Sequence, residues 1–187
     1  MSRTPKAQQA EPVFEEGLFD HLLRPGNTNC AGCGMSLSQK WLEEGMGGTP
    51  ITLCIPACCG IVTAGAWPTS AYGVPTVATT FGCVSAVASG LRAVQLMNGD
   101  PGETICWAGD GGTYDIGMAT LSAAAERDED ILYLCYDNEI YGNTGGQRSS
   151  ATPFGAATST TPAGKTVEKK DILSIMAAHR VPYAASV

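Results

Sequence analysis

The chain has 187 residues, of which 44% are hydrophobic, and a formal net charge of −7. This length and composition allow a domain with a buried core. The scattered lysines and arginines lack the clustering of a nucleic-acid-binding surface. Residues 1–12 are polar and show no apolar signal-peptide core, and no apolar run is long enough to predict a membrane span. Eight cysteines without such a signal favour a reducing, cytoplasmic location over a disulfide framework.

In chain order, strand-like and helix-like segments alternate. We expect a tail at 1–12 and one domain at 13–187. The predicted helices are 14–23, 35–44, 83–96, 116–127 and 167–180, and the predicted strands are 51–55, 75–79, 103–107, 131–136 and 181–187. Alternation of this kind predicts an α/β fold with a mostly parallel sheet flanked by helices. The Ser/Thr/Pro/Gly-rich loop 148–165 is longer than most connections, so we expect it to be functional or contact-forming.

Between Glu44 and Arg92 the sequence contains no Asp, Glu, Lys, Arg or His. A stretch without charge is difficult to place on the solvated surface of a monomer. Two explanations remain open: an oligomer interface around a cofactor, which we favour, or a glycine-rich core region.

Two polar clusters follow two strands of one predicted βαβ unit. Gly109-Asp110-Gly111 comes after the strand at 103–107, and Asn138 comes after the strand at 131–136. Parallel strands end at the same edge of a sheet, where ligands of α/β proteins bind. We therefore expect Asp110 and Asn138 to lie close together.

The chemistry of this cluster suits Mg²⁺, which is usually held by a few protein oxygens together with substrate phosphates. Gly109 and Gly111 would let the backbone approach such a ligand. The alternative is an ordinary turn in which Asp110 caps the following helix. The pattern resembles the thiamine diphosphate motif, which would make Asp110, Asn138 and the Ile140 carbonyl the Mg²⁺ ligands. Many such proteins have Asn-Asn where this chain has Asp137-Asn138, but the second position carries the ligand.

The cysteines form a second pattern. Cys30 and Cys33 stand in a Cys-x-x-Cys turn, and Cys58 follows 25 residues later. Soft thiolates in this spacing suit a metal or iron–sulfur cluster. Cys59, beside Cys58, is an ambiguous alternative. Four others are more simply explained as packed apolar residues, namely Cys54, Cys83, Cys106 and Cys135.

The motifs occur along the chain in the order Cys-Ala-Gly-Cys-Gly, a third Cys, Thr80-Phe-Gly, Gly-Asp-Gly and Tyr141-Gly-Asn-Thr-Gly-Gly-Gln. This order resembles the beta subunit of 2-oxoacid:ferredoxin oxidoreductases of the pyruvate synthase kind. The resemblance implies the pyrophosphate-type thiamine diphosphate fold. It also implies a [4Fe–4S] cluster on Cys30, Cys33 and Cys58. Asn143 would be a catalytic amide near the thiazolium, with a plain turn residue as the alternative, and Thr144 and Gly145 would pass beside the cofactor.

The implied reaction is oxidative decarboxylation of a 2-oxoacid, most simply pyruvate, to acyl-CoA and CO₂, with coenzyme A as co-substrate. Electrons would leave through the cluster to ferredoxin or another acceptor. The implied partners are a pyrimidine-binding alpha subunit, a gamma subunit and a ferredoxin-like delta subunit. Two other functions stay open: a non-redox thiamine decarboxylase or synthase subunit, and a non-catalytic iron–sulfur electron-transfer subunit.

The C-terminal sequence suggests an incomplete domain. Residues 181–187 read as a strand being entered, and only three cysteines are placed for a cluster that usually has four protein ligands. We expect a further segment or chain to supply the fourth cysteine.

Overall fold

A computed structural model of the protein describes residues 21–66 and 70–187. The predicted tail at 1–12 and most of the predicted helix at 14–23 lie outside these ranges. The described end of that helix is not helical, because Leu23 forms an isolated antiparallel bridge with Tyr72. Leu22 is 2% exposed and packs in the core. Its apolar character reflects that packing, and the helix prediction is wrong over residues 21–23.

The centre of the fold is a four-stranded sheet in which all neighbouring strands are parallel. Its strands are β1 (Ile51–Pro56), β2 (Thr76–Thr79), β3 (Glu103–Gly109) and β4 (Leu132–Tyr136). Their order in space is β2-β1-β3-β4, so the direction of winding changes between β1 and β3. The predicted parallel α/β architecture is confirmed. A separate two-stranded ribbon consists of β5 (Ile140–Tyr141) and β6 (Gln147–Arg148).

Five α-helices flank or follow the sheet in the described ranges: α1 (Gly34–Met46), α2 (Cys59–Thr63), α3 (Val84–Asn98), α4 (Met118–Glu126) and α5 (Ile172–Ala178). A π-helical turn, Gly111–Asp115, precedes α4. The helix predicted at 116–127 therefore begins with an extra, wider turn. The helix predicted at 167–180 is shorter, because the Asp171 side chain accepts a hydrogen bond from the Ser174 N–H and starts the helix there.

No strand forms over residues 181–187, so that prediction is wrong. All but the first of these residues are exposed. A strand requires hydrogen bonds to a neighbouring strand, and apolar composition alone does not provide them.

Alternating residues of the two central strands make the core. Leu53, Ile55, Ile105 and Trp107 point to one face and are at most 2% exposed. Cys54 and Cys106 point to the other face and pack with Val84 and Ala88 of α3. This two-residue alternation lets one sheet bury apolar groups on both sides.

The cysteine environments largely follow the expectation. Cys54 and Cys106 are 0% exposed, and burial raises the pKa of the Cys54 thiol to about 11. Cys135 is partly buried, and burial raises its pKa to about 12. Cys83 is exposed at the N-cap of α3, so its assignment as a packed residue is wrong. Only one face of α3 packs against the sheet. Cys83 is exposed because it precedes the residues of that face.

The segment between Glu44 and Arg92, which has no charged residue, is partly buried in the core and partly exposed. Strand β1 lies within it and is core, whereas Val62 and Val87 are exposed at 53% and 37%. The adjoining end of α3 also exposes apolar side chains, with Val94 at 53% and Met97 at 85%. The suggested oligomer interface stays a prediction. Over the described ranges, no helix is long and apolar enough to cross a membrane.

Arg92 ties α3 to the loops that precede β3 and β4. It donates to the Gly102 carbonyl at 2.6 Å and to Asp130 Oδ2 at 2.7 and 2.9 Å, and it is 8% exposed. Arg92→Ala should lower the free energy of unfolding by about 1–3 kcal/mol, because it leaves a buried carbonyl without its donor. Arg127→Ala is the control, since its half-exposed pair with Glu129 should contribute only about 0–1 kcal/mol. Urea denaturation measures both, and equal losses would contradict this role for Arg92.

Candidate functional site

The sheet opens into a cavity where its winding changes. This first cavity of about 370 Å³ lies at the carboxyl ends of β1, β3 and β4, and its walls include Cys58, Cys59, Phe81, Asp110, Tyr136, Asn138, Ile140, Tyr141 and Asn143. Parallel sheets bind ligands at such a switch point because the loops after adjacent strands diverge there. The loops that sequence analysis singled out therefore meet at one place.

Asp110 is a buried carboxylate at the end of β3, with 3% exposure. It makes no side-chain capping bond to the turn that follows, so the capping alternative is wrong. Its Oδ2 instead accepts a hydrogen bond from the Ser149 hydroxyl. Burial raises the pKa of the Asp110 carboxyl, and the Ser149 hydrogen bond acts in the opposite direction.

Three polar groups meet at the end of β3. With its amide nitrogen turned inward, Asn138 donates to Asp110 Oδ1 at 2.9 Å and to the Ile140 carbonyl oxygen at 2.8 Å. Rotation of the amide would bring its oxygen beside the other two, an arrangement that a cation among them would favour. A carboxylate, an amide oxygen and a carbonyl are the hard donors that Mg²⁺ prefers, so the residues fit the predicted ion.

Gly111 is required by a close contact. A Cβ at this position would lie 2.2 Å from Tyr141 Cε1. The Tyr141 ring itself packs edge-on against Phe81, with 6.1 Å between ring centroids, and its hydroxyl donates to Asp115 at 2.6 Å. Gly109 is less tightly constrained, since its Cβ would meet Tyr136 at 3.3 Å. The glycines thus allow two tyrosine rings to close over the end of β3.

The loop between β5 and β6 carries Asn143, Thr144 and Gly145. Gly145 has a φ of 113°, a conformation that favours glycine. The Thr144 hydroxyl donates to Gln147, whose amide returns a hydrogen bond to the Thr144 carbonyl at 2.7 Å. Asn143 Oδ1 lies 3.3 Å from the Cys59 Sγ. Asn143 is therefore both a turn residue and part of the cavity wall.

Two of the three predicted cluster cysteines, Cys30 and Cys33, line a second cavity, whereas the third, Cys58, lines the first. The second cavity, of about 540 Å³, is lined by Cys30, Cys33 and Cys59, together with Asn138 and Asn143. Over residues 21–66 and 70–187, no three His, Cys, Asp or Glu side chains are grouped closely enough to hold a metal ion. The thiol chemistry of the wall suits an iron–sulfur cluster, whereas the spacing of the side chains is too open.

Cys58 and Cys59 face different surroundings. The Cys58 Sγ donates to the Pro56 carbonyl at 2.9 Å, and its side chain lines the first cavity. Cys59 lines both cavities, and burial and then the neighbouring Cys58 raise the pKa of its thiol. The choice of Cys58 as third ligand stays a prediction, and the wall of the second cavity favours Cys59.

Several site residues carried no recognisable sequence motif. Ser149 bonds Asp110, and Asp115 accepts from the Ser150 N–H at 3.1 Å. Lys169 bridges Asp137 at 2.6 Å and Glu139 at 3.2 Å, on either side of Asn138. The available signal was the unusual length of the loop at 148–165, which contributes Ser149. A hydroxyl or a lysine in a polar loop has no spacing that reveals its partner.

Comparison with known proteins identifies the class. The C-terminal thiamine pyrophosphate-binding domain of thiamine pyrophosphate enzymes matches residues 57–187. A 2-oxoglutarate:ferredoxin oxidoreductase from Magnetococcus marinus has the same fold, with a TM-score of 0.72 at 22% identity, over 94% of this chain and 58% of that one. Fold and site together define an α/β protein of the thiamine diphosphate-binding class.

The chain belongs to the thiamine pyrophosphate enzyme family. Ketoisovalerate oxidoreductase subunit VorB of Pyrococcus abyssi is 45% identical, over 92% of this chain and 57% of the relative. Pyruvate synthase subunit PorB of Methanothermobacter thermautotrophicus is 41% identical, over 89% and 60%. The resemblance to 2-oxoacid:ferredoxin oxidoreductase subunits is confirmed. The chain spans about three fifths of the length of these curated relatives.

Gly111→Ala tests the packing over β3. The added methyl overlaps the Tyr141 ring and should lower the free energy of unfolding by about 1–3 kcal/mol. Gly45→Ala is the control, because a Cβ there meets no atom within 4 Å and should stabilise α1 by about 0.5–1 kcal/mol. Thermal unfolding followed by circular dichroism separates the two. A Gly111→Ala protein as stable as the wild type would contradict the contact.

Proposed function

We propose that this chain is the cofactor-binding part of a 2-oxoacid:ferredoxin oxidoreductase, which decarboxylates a 2-oxoacid oxidatively in the presence of thiamine diphosphate, Mg²⁺ and coenzyme A. The observation that carries the proposal is the meeting of the Asp110 carboxylate, the Asn138 amide and the Ile140 carbonyl at the switch point of a parallel sheet. The ketoisovalerate and pyruvate relatives support the reaction class. Pyruvate is the substrate we favour, and a branched 2-oxoacid is the alternative.

In this proposal Asp110, Asn138 and the Ile140 carbonyl hold Mg²⁺ on the cofactor diphosphate. Thiamine diphosphate, when bound, supplies the carbon nucleophile and the electron sink for loss of CO₂. The chain contributes an aromatic wall, since Gly111 lets the Tyr141 ring come close and Phe81 packs against that ring. Asn143 stands on the cavity wall as an amide that can hydrogen-bond a substrate oxygen.

The second cavity is the place proposed for a [4Fe–4S] cluster. Cys30 and Cys33 supply two ligands, and Cys58 is the predicted third, with Cys59 as the alternative. The two cavities share Cys59, Tyr136, Asn138 and Asn143 as walls. A cluster in the second cavity would lie beside the proposed cofactor, as electron transfer in a redox enzyme requires.

The proposed partners are the remaining subunits of such a complex, of alpha, gamma and delta type, and ferredoxin or another electron acceptor. Support comes from the subunit names of the relatives and from the exposed apolar side chains of α3. The eight free thiols suit a reducing, cytoplasmic location.

Asp110→Ala tests the cofactor assignment. Removal of one of the three oxygens should weaken Mg²⁺-dependent thiamine diphosphate binding by at least about 100-fold, because the ion loses its buried carboxylate. Isothermal titration of the purified protein measures this. Glu44→Ala, at an exposed carboxylate of α1, is the control and should bind normally. Full cofactor retention by Asp110→Ala would refute the assignment.

Cys58→Ser and Cys59→Ser form a matched pair for the cluster. One substitution should abolish or convert the cluster and the other should spare it, since a single thiolate completes the set with Cys30 and Cys33. Electron paramagnetic resonance and iron content measure the result. Loss in Cys58→Ser supports the 25-residue spacing, and loss in Cys59→Ser supports the cavity wall. A protein that binds thiamine diphosphate but contains no iron would favour the non-redox alternative.

A further inference from the structure

Two buried hydroxyl groups connect the halves of the proposed metal site. Ser149 is 1% exposed, and its Oγ donates to Asp110 Oδ2. Thr152 is 2% exposed, and its Oγ1 donates to the Glu139 carbonyl at 2.5 Å. The Ser149 N–H in turn donates to Thr152 Oγ1 at 2.9 Å. A continuous hydrogen-bonded path therefore runs from Asp110 to the peptide between Glu139 and Ile140.

Every hydroxyl in this path has its proton assigned. Ser149 uses its single O–H on Asp110, and its oxygen accepts from the Ala151 N–H at 3.2 Å. Thr152 uses its O–H on Glu139, so its oxygen accepts from Ser149. Because only this arrangement of donors satisfies every group in the path, rotation of either hydroxyl breaks a buried hydrogen bond. The path is therefore stiff.

The two ends of the path need such support for different reasons. Asp110 is buried, and burial of a carboxylate is unfavourable without a donor. Glu139 has a φ of 64°, which is uncommon for a residue other than glycine. The surrounding structure must hold this turn.

The loop that carries the two hydroxyls is itself anchored. Lys165 is 2% exposed, and its Nζ donates to the carbonyls of Ser150, at 3.1 Å, and of Thr152. The Lys170 N–H donates to the same Ser150 carbonyl at 3.0 Å. Ser149 and Thr152 thus stand on a fixed backbone.

We propose that Ser149 and Thr152 are positioning residues that hold Asp110 and the turn at 138–140 at the spacing required by Mg²⁺. This inference rests on the proposed function and adds the selection of the cation. Mg²⁺ demands near-ideal octahedral geometry, whereas Ca²⁺ accepts longer and more variable distances. A site that loses its brace should therefore lose Mg²⁺ more than Ca²⁺. General destabilisation would weaken both equally.

The test compares Mg²⁺ and Ca²⁺ as supports for thiamine diphosphate binding in the intact purified protein. Thr152→Val keeps the shape and removes the hydroxyl, and Ser149→Ala removes the donor to Asp110. Each should raise the Mg²⁺ concentration for half-maximal binding by about 10-fold or more, with a clearly smaller change for Ca²⁺. Thr152→Ser retains the hydroxyl and should keep the wild-type ratio.

Thr161→Val is the matched control. It removes a hydroxyl from the same loop, where Thr161 meets Thr158 at 2.7 Å rather than Asp110 or Glu139. It should leave the ratio of Mg²⁺ to Ca²⁺ unchanged. Unchanged ratios in Thr152→Val and Ser149→Ala, or equal losses with both cations, would overturn the inference while the proposed function stands. Wild-type protein that binds no thiamine diphosphate with either cation would overturn the proposed function and this inference with it.

Discussion

The buried carboxylate of Asp110 is the constraint on which the site depends. A charge with 3% exposure must be compensated by donors or by a cation. Ser149 supplies one hydrogen bond, and the Asn138 amide, with its nitrogen turned inward, supplies another. The position of Asp110 at the end of a central strand fixes one side of the site. The surrounding loops then bring the other side to it.

The sheet topology explains why the cysteines and the Asp110 carboxylate lie at the same edge of the sheet. Because β1 lies between β2 and β3, the loops after β1 and β3 leave the sheet in different directions and open a cavity. The loop after β1 carries Cys58 and Cys59, and the loop after β3 carries Asp110. Tyr136 stands between the two cavities, with its hydroxyl accepting from the Gly60 N–H at 2.8 Å and its ring against Trp107. Aromatic packing therefore joins the region of the cysteines to the region of the carboxylate.

The loop at 148–170 gives the site its second layer of contacts. It places hydroxyl groups on Asp110 and Asp115, and Lys169 between Asp137 and Glu139. The Asp137 carboxylate is compensated here by Lys169 and by the Tyr114 hydroxyl at 3.0 Å. The negative charge beside the site is thus balanced by a residue more than thirty positions away.

Local patterns in the sequence determined the sheet, the order of its strands along the chain and the meeting of Asp110 and Asn138 at one edge of it. Alternating apolar residues in β1 and β3, and the glycines around Asp110, are short-range signals that follow from backbone geometry. The tertiary structure decided what depends on distant partners. It replaced the predicted helix with a bridge over residues 21–23 and left residues 181–187 without a strand, because pairing and burial override local composition. It also paired Ser149 with Asp110, and it placed Cys59, rather than Cys58, on the wall of the cavity that Cys30 and Cys33 line. Such contacts join residues that are far apart in the chain, and only the folded backbone sets the distance between them.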